Sequence, residues 1–161
     1  MDTDKAREGP NDGDGGLGPM SEAEVKELIA RSRDAMKNSY CEYSNFRVGA
    51  ALLTEDGSTI TGCNIENVSY SLTNCAERTA IFKAVSEGHR KFKAIAISSD
   101  LKENFIYPCG ACRQVMVEFG DFHVYACKPD LTWQHTTTQK LIPYVFTKPE
   151  LHSVQKSKAQ K

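Results

Sequence analysis

The chain contains no stretch approaching the roughly 20 apolar residues that a membrane-spanning helix needs, so no membrane partner is expected. Residues 1–20 lack the apolar core of a secretion signal; with five acidic residues, two basic residues and five glycines they read as a disordered acidic, glycine-rich tail. A surplus of positive charge is also missing. The formal net charge of −1 argues against a protein that grips nucleic acid through its phosphates, which needs a basic face. There is no glycine-rich phosphate loop. Only four histidines occur, His89, His123, His135 and His152, and no two are spaced as metal ligands. In the absence of a secretion signal, the six cysteines read as reduced thiols of a cytoplasmic protein, some of them used for metal.

The 161 residues, 40% apolar and 25% charged, suit one domain with a real core, expected over residues 21–151. Ser21-Glu-Ala-Glu24 is a capping-box pattern, and Val25, Leu28, Ile29, Ser32 and Met36 continue one helical face after it. An apolar run at 48–53, a turn at Glu55-Asp56-Gly57 and a return at 59–64 predict a hairpin. Asn74 is placed to cap a helix over 75–86, ended by Gly88; Pro108 precedes a helix over 109–118. Strands are predicted at 94–98, 122–126 and 132–138, and a short helical turn within 141–146. Lys148 onward is expected to fray into a polar, basic tail at 152–161 carrying Lys156, Lys158 and Lys161. Helix, hairpin, then alternating strands and helices imply an α/β fold: a three-layer α/β/α sandwich around a mixed five-stranded sheet.

The chemistry is concentrated in Cys75-Ala-Glu77 and Pro108-Cys109-Gly-Ala-Cys112. Cys109 and Cys112 lie three apart at a helix start, so both sulfurs can face one point, and Cys75 opens another helix. Converging helix N-termini favour thiolates over thiols. Three thiolates can hold one zinc ion and leave a fourth position open. Such an ion carries a formal charge of −1, and Arg78, three residues after Cys75, is a candidate for drawing charge from the sulfurs. Glu77 either fills the fourth position or moves protons beside it. A closed four-cysteine structural site, completed by Cys41, Cys63 or Cys127, is the alternative, and it predicts an interaction module without hydrolysis.

Cys75-Ala-Glu-Arg-Thr-Ala80 together with Pro108-Cys-Gly-Ala-Cys-Arg-Gln114 resembles the small, homotetrameric, zinc-dependent cytidine deaminases, in the three-cysteine variant of the zinc-deaminase signature. The likeness extends through Tyr43-Ser44, Val48-Gly-Ala-Ala-Leu52, Gly62-Cys-Asn-Ile-Glu-Asn67 and Lys128-Pro-Asp130. It implies zinc, one per subunit, on Cys75, Cys109 and Cys112, with Glu77 as proton shuttle and Arg78 easing the thiolate charge. Asn64 and Glu66 would hold the ribose hydroxyl, Phe46 would lie against the pyrimidine, and Ala76 would offer its N–H to the base edge. Phe146, and Tyr70 beside it in this role, would reach a neighbouring subunit's pocket in a homotetramer with shared active sites. The implied reaction is hydrolytic deamination of cytidine and 2′-deoxycytidine to uridine and 2′-deoxyuridine plus ammonia by a zinc-activated water, in pyrimidine salvage. Arg47, Leu131 and Thr147 depart from the family's usual proline, glycine and glycine. The same metal motifs would also serve a deaminase of nucleoside analogues or of polynucleotides, the last needing a basic channel.

Overall fold

The computed structural model describes residues 17–152; the tail expectations for residues 1–16 and for Lys156, Lys158 and Lys161 lie outside the described residues. The first helix, α1, spans Glu22–Ala35. Its capping box forms as the sequence predicts: the Glu24 N–H donates to Ser21 Oγ at 3.3 Å, and the Ser21 N–H donates to the Glu24 carboxylate at 2.8 Å. A 3-10 turn, Met36–Asn38, follows. The hairpin is β1, Val48–Thr54, and β2, Thr59–Cys63, turned at Gly57 with φ of 89°. Then come α2 at Ala76–Ser86, β3 at Phe92–Ser99, α3 at Gly110–Val117, β4 at His123–Cys127 and β5 at Trp133–Thr137. The sheet order is β2-β1-β3-β4-β5, with β3 and β4 parallel and the other pairs antiparallel.

Side-chain alternation separates the two faces of the sheet. Leu52, Ile95, Ile97 and Val124 meet Ala76, Ala80 and Ile81 of α2 and Cys112 and Met116 of α3. On the other face Ala51, Ala94, Ala96, Tyr125 and Cys127 meet Val25, Leu28 and Ile29 of α1. The expected three-layer sandwich around a mixed five-stranded sheet is therefore the observed one. Bulky aliphatic residues fill the side shared by two helices, whereas alanines let the single helix α1 lie close. Two glycines set how close. A Cβ at Gly49 would sit 2.1 Å from the Ser32 carbonyl oxygen of α1, and one at Gly62 would sit 2.4 Å from the Ala80 nitrogen and 2.6 Å from the Ala76 oxygen of α2. Buried Ser32 and Ser98 hydroxyls meet at 2.7 Å across the α1 interface, so neither is left without a partner.

Three expectations are corrected. Asn74 does not cap α2, because its backbone is paired with Ile65 through N–H···O bonds of 2.9 Å in both directions; the N-cap is Cys75. The helical turn expected within 141–146 lies earlier, at Gln139–Leu141, and the chain then reverses through Tyr144 at φ of 55°. Residues 148–152 are helical rather than frayed. The Thr147 N–H donates to the Glu150 carboxylate at 2.9 Å and the Thr147 hydroxyl bonds the same group, a local capping arrangement that the polar composition hides. At two of the positions that depart from the resemblance, Leu131 takes a left-handed φ of 72° in the turn after β4, and Arg47 forks onto Asp100 with bonds of 2.9 and 2.8 Å. Among the described residues, no helix is long and apolar enough to cross a membrane.

Because α2 rests directly on β2 at Gly62, Gly62→Ala must push the helix off the sheet. The expected outcome is a loss of about 1–3 kcal/mol in a denaturant unfolding experiment, with an unchanged m-value. An unfolding midpoint equal to that of the unsubstituted chain would show that α2 does not depend on this contact.

Candidate metal centre and active site

Both α2 and α3 start at a cysteine. Cys75 and Cys109 are N-caps in extended conformation (φ −74° and −66°), and no side chain caps either end. The unpaired N–H groups and partial positive charge of both helix starts thus remain available to the sulfurs. Cys75 Sγ lies 3.8 Å from Cys109 Sγ, which lies 3.6 Å from Cys112 Sγ, and the three sulfurs all fall within 4.8 Å of one another. Among the described residues this is the only group of three or more such side chains so disposed. The other three cysteines do not complete a closed set. Cys63 donates to the Asn38 carbonyl at 3.2 Å, Cys127 is buried on the α1 side of the sheet, and Cys41 belongs to the loop after the 3-10 turn.

The donor set suits zinc: three reduced, soft sulfurs on two rigid helix starts, with one face of the cluster open at exposed Cys109 and the other sealed at buried Cys112. Arg78 approaches from one turn further along α2, its Nη2 lying 3.5 Å from both Cys75 Sγ and the Thr73 carbonyl oxygen. Its Nε is buried without a partner, so the guanidinium is held in place more for its charge than for a full set of hydrogen bonds. The neighbouring Cys112 thiol, helped by Arg78 and Cys109 against the cost of burial, brings Cys75 down to about 5. The neighbouring Cys75, with burial and the Glu77 charge, pushes Cys112 up.

Glu77 occupies the first turn of α2 and is 4% exposed. Burial pushes its carboxyl up to about 7 and the Cys75 charge adds to this, while its own backbone N–H, the Cys112 thiol and Arg78 pull the other way. A carboxyl poised near neutrality can both take and give a proton.

The expected nucleoside-side residues fall into separate groups. Asn64, 8% exposed, accepts the Val48 N–H at Oδ1 (2.9 Å) and donates from Nδ2 to the Phe46 carbonyl (2.8 Å). The Glu66 carboxylate accepts the N–H groups of Tyr43 (2.9 Å) and Ser44 (3.1 Å) and the Ser44 hydroxyl. Together they shape the loop 43–48, in which Phe46 is half-buried and Asn45 takes a left-handed φ of 55°. Tyr70, 72% exposed, meets Tyr43 edge-on at 5.6 Å. With Ser44, Glu66 and Thr73 these tyrosines surround a cleft of about 170 Å³. Thr73 links this cleft to the metal cluster, since its carbonyl receives Arg78. Ala76 is fully buried at the α2 start. Phe146, 60% exposed, lies along α3, where its carbonyl accepts Gln114 Nε2 at 2.8 Å. A larger groove of about 700 Å³ runs between α1 and the ends of β3 and β4, lined by residues such as Arg33, Asp100 and Lys128. Neither cavity is lined by the three thiols; the smaller one is tied to them through Thr73 and Arg78. Ser44 as the bridge between Glu66 and the Phe46 N–H, and Thr73 as a carbonyl partner of Arg78, were not singled out from sequence; a backbone acceptor leaves no mark in a side-chain pattern.

A family model described as "Cytidine and deoxycytidylate deaminase zinc-binding region" matches residues 22–128. A protein from Dictyostelium discoideum named "Probable cytidine deaminase" is 52% identical over 132 residues, covering 82% of this chain and 90% of its own. The "Cytidine deaminase" of Sporosarcina psychrophila is 53% identical over 130 residues, 80% of this chain and 95% of its own. The crystal structure of cytidine deaminase from Burkholderia pseudomallei superposes with a TM-score of 0.74 at 44% identity, covering 79% of this chain and all of that one. With three thiols converging beside a buried carboxyl on the matching fold, the chain belongs to the zinc-binding cytidine and deoxycytidylate deaminase family.

Proposed function

We propose that the chain is a zinc-dependent cytidine deaminase that hydrolyses cytidine, and 2′-deoxycytidine, to the corresponding uracil nucleoside and ammonia, in the cytoplasm and in pyrimidine salvage. The observation that carries this reading is the buried Glu77 carboxyl in the first turn of α2, the helix that Cys75 of the three-thiol cluster opens. Cys75, Cys109 and Cys112 would hold the zinc ion, which would supply a Lewis acid able to make a water acidic near neutrality. Glu77 takes a proton from the attacking water and gives it to N3 of the cytosine ring, so that C4 accepts the new C–O bond. It then moves the remaining hydroxyl proton to the exocyclic nitrogen, the C4–N bond breaks and ammonia leaves. Arg78 offsets the negative charge of the thiolates throughout.

Binding falls to residues that also build the pocket wall. Asn64 has a second amide hydrogen beyond the one given to Phe46, and Glu66 keeps lone-pair capacity beyond its three loop bonds; both suit ribose hydroxyls. Phe46 presents its ring to the base, and the Ala76 N–H at the uncapped start of α2 meets the base edge. A carboxylate at the sugar favours a nucleoside over a nucleotide, since it repels phosphate. Exposed Val68, Tyr70 and Leu72 beside the cleft, and Phe146 beside α3, support a homotetramer in which neighbouring chains share active sites.

Removing any of the three sulfurs, as in Cys75→Ala, Cys109→Ala or Cys112→Ala, is expected to lower zinc content by elemental analysis and abolish turnover together. Full zinc retention in all three would place the ion elsewhere. Glu77→Gln is expected to keep zinc and lose about 10²–10⁴-fold in kcat, the range for a lost general acid–base group. Ultraviolet-monitored turnover of a nucleoside panel beside single-stranded RNA and DNA checks the substrate class: polynucleotide turnover without free-nucleoside turnover contradicts it.

A further inference from the structure

The outer face of α3 carries a row of bonds to the chain after β5. Arg113 Nη1 donates to the Leu141 carbonyl at 2.8 Å, Gln114 Nε2 donates to the Phe146 carbonyl at 2.8 Å, and Glu118 pairs with Lys148 at 3.0 Å. Arg113 also reaches in the other direction: its Nε donates to the Pro108 carbonyl at 2.7 Å. That carbonyl belongs to the rigid peptide plane ending at the Cys109 nitrogen, so fixing it fixes the turn that presents the Cys109 sulfur. Pro108 itself is fully buried. A guanidinium is planar, and its two donor directions cannot be adjusted independently; a lysine ammonium at the same place can serve one carbonyl but lacks the fork.

We propose that Arg113 is a positioning residue that couples the metal-bearing turn at Pro108–Cys109 to the segment 141–147, so that zinc loading tightens the segment that carries Phe146. The coupling is reciprocal: loosening that segment weakens zinc retention. The inference rests on the assignment of the thiol cluster as the zinc site. A residue that only anchored the C-terminal segment would affect the segment and leave zinc retention untouched.

The full zinc-loaded chain is compared with its Arg113→Lys, Arg113→Gln and Gln114→Ala variants by two readouts. One is the rate of zinc loss to a chromogenic chelator; the other is amide hydrogen exchange in 141–147, with β5 as the internal reference. Arg113→Lys is expected to speed zinc loss about tenfold, the cost of one charge-assisted hydrogen bond, and to raise exchange in 141–147. Gln114→Ala, which touches the segment alone, is expected to raise exchange with a smaller effect on zinc loss. In the unsubstituted chain, removing zinc is expected to raise exchange in 141–147 more than in β5, and this difference is expected to vanish in Arg113→Gln. Unchanged zinc loss in a folded Arg113→Lys chain overturns the coupling. So does equal exchange in 141–147 of the unsubstituted chain with and without zinc, a measurement that needs no variant to fold. Zinc content of the unsubstituted chain is read separately: its absence overturns the metal assignment and this inference with it, whereas zinc present with uncoupled readouts overturns this inference alone.

Discussion

Three sulfurs within 4.8 Å of one another repel as soon as more than one is ionised, and much of the surrounding structure answers that repulsion. Two helices begin at the cluster with neither end capped by a side chain, so the partial positive charge of both helix starts is not spent on a capping oxygen. Arg78 adds a full positive charge 3.5 Å from Cys75, at the expense of an unpartnered Nε. Close seating of α2 at Gly62 and of the Cys112 side chain in the core keeps these groups from relaxing apart. An apolar wall on the Cys112 side and exposure at Cys109 would let a metal be held rigidly without being enclosed.

The same economy governs the loop 43–48. Asn64 and Glu66 are hydrogen-bonded to it, so they shape that wall of the cleft. Polar residues at the end of a strand often do no more than close a turn, and here they demonstrably close one. The proposed nucleoside contacts would draw on their unused donor and acceptor capacity, and side chains already ordered by the loop need not be ordered again. Arg47, forked onto Asp100, holds this loop from the opposite side, where the resemblance leads one to expect a proline. A rigid ring and an ion pair are two different ways of limiting the same stretch of backbone.

Local features of this fold are legible in the sequence. The capping box at Ser21 and the apolar face from Val25 to Ser32 lie within one helix, and both read correctly because their partners are three or four residues away. The three ligand-type cysteines stood out among six because their spacing and helix-start positions follow the chemistry rather than the fold. Asn74 has the chemistry of a cap, but its backbone is committed to Ile65, a pairing that depends on where β2 and the turn after it lie. The helix at 148–152 was hidden by a composition that resembles a frayed end, although Thr147 and Glu150 have capping spacing. Arg113 lay inside a recognisable motif, yet its two acceptors, Pro108 and Leu141, are backbone carbonyls that sequence does not show.

Cys75 and Cys109 are 34 residues apart, and between them runs β3, whose partners are β1 on one side and β4 on the other. Only Cys109 and Cys112 are neighbours along the chain, so an unfolded molecule offers zinc a two-sulfur half-site and no more. Closing the loop to Cys75 carries an entropic cost that is met when the central strands pair. The three-sulfur cluster therefore exists as one site only when the central strands are paired, and an ion that binds only that folded site raises stability with its free concentration by mass action.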